Sequence, residues 1–106
     1  MIDEERVEAA VLYLRDTARQ YGQARGRALY TENNLRRVKS LVMLEHQGSI
    51  GEREAQAYAS EAYKQALEDM ENAVAESETI RALRDAAQYT IETWRSQNSA
   101  RRQGNV

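Results

Sequence analysis

The residues that could do chemistry are few, and their spacing does not assemble a centre. His46 is the sole histidine and there is no cysteine, so disulfides, thiolate metal sites and thiol catalysis are excluded together. His46 has no set of Asp or Glu neighbours at helical spacing that would complete a metal site. It reads instead as a residue of a helix C-terminus, where a cation-capable side chain meets the negative end of the dipole. Carboxylates are frequent in the second half: Glu61, Glu68, Asp69, Glu71, Glu76, Glu78, Asp85 and Glu92. The Glu-x-x-His pattern that builds di-metal sites in helical bundles is absent. A general acid–base pair needs a desolvated pocket, which two helices side by side do not offer. The expectation is a protein that is not an enzyme, with no catalytic residue, no metal and no cofactor.

The charges are laid out unevenly. Residues 15–39 carry Arg15, Arg19, Arg25, Arg27, Arg36, Arg37 and Lys39 against Asp16 and Glu32, whereas residues 47–94 are rich in Asp and Glu. If the two stretches lie side by side, complementary charge fixes their pairing and keeps the surface soluble. Two functional readings stand beside that one. Arg25, Arg36 and Arg37 could contact phosphates. Glu68, Asp69 and Glu71 could present an acidic face to a partner, imitating nucleic acid toward a host enzyme. Trp94, with Arg95 and Arg101 near it, ends an apolar seam, either as a core plug or as a contact hot spot. Gly22 and Gly26, four apart, either allow a close helix crossing or mark a weak point, since a mid-helix Gly costs about 1 kcal/mol relative to Ala.

The totals bound the elements that must position these residues. The chain has 106 residues, 42% hydrophobic and 30% charged, with a net charge of -2 and a mean hydropathy of -0.81. That is a single domain at most, too polar for a membrane protein and too apolar for a disordered one. No apolar run approaches the roughly 20 residues that span a bilayer. The acidic start, Met1-Ile2-Asp3-Glu4-Glu5-Arg6, lacks the apolar segment of a signal peptide. There is no proline, so no backbone donor is missing from any helix.

Apolar residues recur at helical steps of three and four. Val7, Val11, Leu14, Ala18 and Tyr21 begin one face, and Ala24, Ala28, Leu35, Val38 and Val42 continue it with Thr31 in the gap, after a small phase slip near residues 21–24. His46-Gln47-Gly48 reads as a helix end with Gly at the left-handed position. Ser49-Ile50-Gly51-Glu52 reads as a capping box that restarts the helix. The second stretch alternates steps of four and three through Ala59, Tyr63, Ala66, Met70, Ala73, Ser77, Ile80, Arg84, Ala87, Ile91 and Trp94. That is a heptad seam with two polar positions, Ser77 and Arg84. Ser60 either caps a second start, splitting off a short helix at 52–58, or sits within one continuous helix.

The fold class is therefore all-α: a long antiparallel helical hairpin with helices near 3–46 and 52–97, forming one domain over 1–97, with 98–106 a flexible tail. Folding at the turn sets Leu35 near Tyr63, Ala28 near Met70, Val11 near Ala87 and Val7 near Ile91. Val11, Leu14, Met70, Ile80, Ala87 and Ile91 are the expected core. One hairpin leaves two broad stripes partly exposed. A homodimer forming an elongated four-helix bundle repairs this; a monomer in which residues 52–58 fold back is the competing repair.

The second half also carries a resemblance. Ala57-Tyr58-Ala59 with Tyr63, then Ile80-Arg81-Ala82-Leu83-Arg84-Asp85-Ala86-Ala87, then Ile91-Glu92-Thr93-Trp94-Arg95-Ser96-Gln97 and Ala100-Arg101, resemble small, mostly uncharacterised helical proteins of tailed phages and prophages. Those are often encoded near recombination and single-strand DNA-handling genes. Such relatives often have a proline just before the tyrosine matching Tyr63, where this chain has Glu61-Ala62. The resemblance covers residues 50–102 well and the first helix loosely, and it supplies no activity. It implies a location in the cytoplasm of an infected or lysogenic bacterium. It also implies an accessory role in phage DNA metabolism through contact with a recombination or host nucleic-acid protein. The alternatives are an inhibitor of a host nuclease or CRISPR defence using the acidic face, and a weak DNA-binding module. Strong binding to bare DNA is not expected, because the net charge is negative and Tyr21 and Tyr63 fall on the seams rather than among exposed cations.

Overall fold

The computed structural model describes residues 1–104. Among them it contains helices and no strand: α1 spans Glu4–Leu44, α2 Ile50–Tyr58 and α3 Glu61–Gly104.

Each boundary has a local cause. The Asp3 carboxylate accepts from the Arg6 N–H at 2.8 Å, capping α1, whose first turn holds Glu4 and Glu5 at the positive dipole end. The last turn tightens, with the Glu45 N–H donating to the Val42 carbonyl at 3.0 Å. The chain then turns at Gly48, whose φ of 121° suits a residue without Cβ. A side chain there would also meet the Glu52 carboxylate. Ser49 caps α2 by accepting from the Glu52 N–H at 3.2 Å. This is one half of the expected capping box. The other half, from Glu52 back to the Ser49 N–H, is not formed among the described residues, since the Glu52 carboxylate lies over Gly48 instead.

The second stretch is divided at Ser60. The Ser60 hydroxyl donates to the Ala57 carbonyl at 2.7 Å and accepts from the Tyr63 N–H at 3.1 Å. One side chain thus closes α2 and caps α3, and no proline is needed for the break. The end of α3 differs from the expected one. Helix continues past residue 97 to Gly104, with Arg101 and Arg102 in its last turn. Ala100, Arg101, Arg102 and Gln103 are good helix formers, and the arginines favour the dipole's negative end. Of the expected 98–106 tail, residues 98–104 are therefore helical, and residues 105–106 lie outside the described part.

The chain divides into two compact units. The first comprises residues 1–22 and 78–104. Here α1 and α3 run antiparallel: the Ile2 N–H donates to the Gln97 side-chain oxygen at 2.9 Å, and Arg84 reaches the Leu14 carbonyl at 2.7 Å. Ala10 and Ile80 are its buried residues, between half-buried Val7, Leu14, Thr17, Tyr21, Ala87, Ile91 and Trp94. The second unit is Gln23–Ser77. Its core is Ala24, Ala28, Thr31, Val42, Ala57, Ala66, Ala73 and Ser77. In this unit, too, α1 and α3 run antiparallel, with Arg27 paired to Glu76 at 3.1 Å. Residues 50–58 fold back against α1, and Ala57 is 0% exposed.

The α3 seam has the expected phase from Tyr63 through Trp94, each position being buried or half-buried, but Ala59, its expected first member, is the exposed C-cap of α2. The α1 stripe does not. Val11 is 49% exposed and Ala18 is exposed, while Ala10 is buried and Thr17 half-buried. The inward positions run 7, 10, 14, 17, 21, 24, 28, 31, 35, 38 and 42 in unbroken heptad steps, so there is no phase slip. Of the expected core, Ile80 is buried, Leu14, Met70, Ala87 and Ile91 are half-buried, and Val11 is outside. Small seam residues let helices approach closely, and a stripe ranked by side-chain size misses them.

Candidate functional site

In the first unit, Arg84 occupies a seam position and is turned to use. Its guanidinium donates to the Leu14 carbonyl at 2.7 Å and to the Thr17 hydroxyl at 2.8 Å, and sits 5.4 Å from the centre of the Tyr21 ring. Thr17 in turn donates to the Tyr13 carbonyl at 2.7 Å. The charge is thus hydrogen-bonded and lies against an aromatic face, the condition under which a partly buried arginine is tolerated. The sequence marked Arg84 as a polar interruption of the seam. Its partner Thr17 has no such mark, because Ala18 beside it fits the apolar stripe.

Further along α3, Trp94 is half-buried and Arg95 and Arg101 are exposed. Two open grooves flank Trp94. One is shared with Arg95, Asn98 and Arg102, the other with Ile2, Asp3, Glu4 and Arg101. The structure therefore brings Trp94, Arg95 and Arg101 together at one end of this unit. A third, apolar groove lies between Ala9 and Tyr13 of α1 and Leu83, Ala86 and Thr90 of α3. Nothing in the sequence pattern singled it out.

In the second unit, Lys39 ties α2 to α1. Its ammonium lies 3.1 Å from the Glu54 carboxylate and 4.9 Å from the centre of the Tyr58 ring. Tyr58 meets Tyr63 edge-on, with ring centres 5.1 Å apart. The Tyr58 hydroxyl and then the Glu54 carboxylate hold the Lys39 pKa above its ordinary 10.5. The acidic trio Glu68, Asp69 and Glu71 is exposed on α3, and Asp69 accepts from Gln65 at 2.9 Å. Arg25, Arg36 and Arg37 are exposed on α1 and make no ion pair among the described residues.

The charge pairing anticipated between the two long helices is therefore confined, among the described residues, to Arg27–Glu76. Arg15 pairs with its own neighbour Asp16. The cause is angular: at 3.6 residues per turn, Arg25, Arg36 and Arg37 fall away from the flank on which Arg27 faces α3. The expected separation of rings from cations also fails at two places: Tyr58, itself exposed, lies under the Lys39 ammonium, and the second is Tyr30. Tyr30 is 66% exposed and shares an open groove with Arg27 and Asp69. Gly22 and Gly26 are part of continuous helix, and a Cβ on either would meet nothing within 4 Å. No close crossing within the chain requires them.

His46 is exposed, and among the described residues no group of His, Cys, Asp and Glu side chains is placed to hold a metal ion. No helix among them is long and apolar enough to cross a membrane. No family model, curated protein or solved structure matches the chain.

Proposed function

We propose that this chain is a non-enzymatic accessory protein of phage DNA metabolism that works through protein contacts, as a homodimer. The observation that carries the contact reading is an inversion of size between core and surface. The buried positions are mainly alanines, whereas Leu29 (48%), Tyr30 (66%), Leu83 (54%) and Tyr89 (68%) are exposed. Large apolar and aromatic side chains held on rigid helices are what a protein partner buries. Trp94 with Arg95 and Arg101 supplies an anchor of the residue types enriched in interface hot spots. The phage setting rests on the resemblance of residues 50–102.

Capture from infected bacterial lysate tests the reading, with Trp94→Ala and Tyr30→Glu as comparisons. Recovery of a recombination or single-strand-binding protein, lost in either variant, supports it. Recovery of a host nuclease or defence protein, lost on Glu68→Lys with Glu71→Lys, would replace it with the inhibitor reading.

Tyr30 favours a second reading, a weak nucleic-acid contact along α1. An exposed ring beside Arg27, with Arg36 and Arg37 on the same helix, has the elements of a stacking surface. Anisotropy titration on single- and double-stranded oligonucleotides decides it. Micromolar affinity abolished by Arg25→Glu plus Arg36→Glu would place this reading first.

A further inference from the structure

The seam of α3 changes chemistry at Trp94. From Tyr63 to Trp94 its members are uncharged apart from Arg84, and the next steps of four and three fall on Asn98 and Arg101. α1 starts at Glu4, with Ile2 bonded at the level of Gln97, and residues 99–104 of α3 are exposed. Arg95, Asn98, Ser99 and Arg102 stand at i, i+3, i+4 and i+7, which keeps them on one side of the helix. With Trp94 they line an open groove. No carboxylate of the described residues lines it, and among those residues Arg95 and Arg102 make no ion pair. The groove on the other side of Trp94 differs, because Arg101 shares it with Asp3 and Glu4.

We infer that the groove of Trp94, Arg95 and Arg102 binds an acidic segment of a partner protein. The segment carries two carboxylates and an apolar side chain beside the first of them. Seven residues of helix separate Arg95 from Arg102 by about 10 Å, and three residues of extended peptide cover about the same length. The two carboxylates meet the two guanidinium groups, whose forked donors suit them. The apolar side chain lies on the open part of Trp94, and Asn98 and Ser99 serve the peptide backbone between. The surrounding charges argue for a peptide and against a nucleic-acid strand. Glu92, three residues before Arg95, lines the next groove back along α3 together with Asp85, and Asp3 and Glu4 lie across Trp94. The positive stretch is therefore short and bounded by carboxylates. A phosphate backbone carries a charge at every nucleotide and runs onto them, whereas the charge of a peptide can stop where the arginines stop. This inference rests on the protein-contact part of the proposed function and names the chemistry of the contacting segment.

Trp94 is the one tryptophan of the chain, so its fluorescence reads the groove directly. Three probes are titrated into the full-length protein. The first is a short synthetic peptide holding a leucine, then an aspartate and, three residues on, a glutamate. The second has asparagine and glutamine in place of the two acids. The third is a short single-stranded oligothymidine. The acidic peptide is expected to give a saturable change with a Kd of about 100 μM or tighter, weakening as salt rises. Arg95→Gln and Arg102→Gln, both at exposed positions, are each expected to weaken it about tenfold, the factor supplied by one lost charge-assisted hydrogen bond. Arg101→Gln, in the groove that holds Asp3 and Glu4, is expected to change it by less than about twofold. Absence of a saturable response, equal binding of the amide peptide, tighter binding of the oligonucleotide, or a loss at Arg101→Gln as large as at Arg95→Gln each overturns the inference. Partner capture separates it from the reading beneath it. A recombination or single-strand-binding protein that is lost in Trp94→Ala, with no response to the acidic peptide, keeps the contact reading and removes this one. Peptide binding with the expected arginine pattern, and no such protein captured, supports the groove and removes the phage assignment.

Discussion

The two units face the same physical problem and meet it differently. Two helices alone bury one stripe each, and here the stripes are narrow because the seam is built from alanine. The second unit adds α2. Residues 50–58 fold back on α1, Ala57 disappears from solvent, and Lys39, Glu54, Tyr58 and Tyr63 close over the join. The first unit has no third helix. It is fixed by the polar contact of Arg84 with Leu14 and Thr17 and by the end-to-end bond of Ile2 with Gln97, and it leaves Leu83 and Tyr89 in solvent. The cover that α2 gives is local, since Leu29, Tyr30, Leu41, Leu44 and Ile50 of the second unit stay in solvent. The first unit combines one large buried side chain, Ile80, with the polar lock and leaves the flank at Leu83 and Tyr89 uncovered.

The largest expected effect falls on the thinnest part of that contrast. Ile80 is the one large buried side chain of the first unit, at 7% exposure, and no alanine neighbour can fill its place. Ile80→Ala is expected to cost about 2–5 kcal/mol in urea or thermal unfolding. A loss below about 0.5 kcal/mol, ordinary for a surface site, would mean that the first unit does not depend on this seam. Next in size is Arg84→Ala, which removes hydrogen bonds from a charged donor and the contact with Tyr21. A loss of about 1.5–3 kcal/mol is expected. Arg84→Met, which keeps bulk and removes the charge, is expected to be closer to neutral, because the desolvation cost of the guanidinium goes with it. If both variants lose the same amount, packing rather than hydrogen bonding holds α3 there.

The second unit is probed at Ser60. Its hydroxyl serves both helix ends, and Ser60→Ala is expected to cost about 1 kcal/mol, the usual value of an N-cap. Loss of α2 docking should accompany it, read as faster amide exchange at residues 50–58 with residues 80–94 unchanged. Equal acceleration in both places would break the comparison, since the units would then open together.

Much of this was legible in the sequence for specific reasons. The α3 seam could be phased because its large members, Met70, Ile80, Ile91 and Trp94, sit on it. Gly48 and Ser49 marked the turn because each has one dominant conformational use. The α1 seam misled because its buried positions are Ala10, Thr17, Ala24 and Ala28, whereas Val11 and Ala18 give a plausible apolar series one residue away. Thr17 becomes an inward position only once Arg84 is placed opposite it, and that is a contact between residues far apart in sequence. The break at Ser60 was visible but undecided, since a serine that caps and a serine inside a helix look alike without the Tyr63 N–H. Trp94, Arg95 and Arg101 were readable as near neighbours in sequence, but not as one helical group, because the helix was expected to end near residue 97 and it runs on to Gly104.

The smallest expected effect concerns Gly22 and Gly26, and its sign carries the information. Both are in the middle of α1, one in each unit, and both are exposed. A Cβ on either meets nothing within 4 Å, and neither has positive φ. Alanine therefore introduces no clash and removes only the flexibility that glycine gives the unfolded chain. Gly22→Ala and Gly26→Ala are each expected to stabilise by about 0.4–1 kcal/mol, read from chemical denaturation at a concentration low enough to keep the chain monomeric. The gain should be equal in the two units, since helix propensity is local and neither site touches the features that distinguish them. Repeating the measurement at high concentration sharpens the comparison. A gain that persists leaves α1 outside any interface. A gain that turns into a loss at Gly22 or Gly26 would place a second helix against that position of α1.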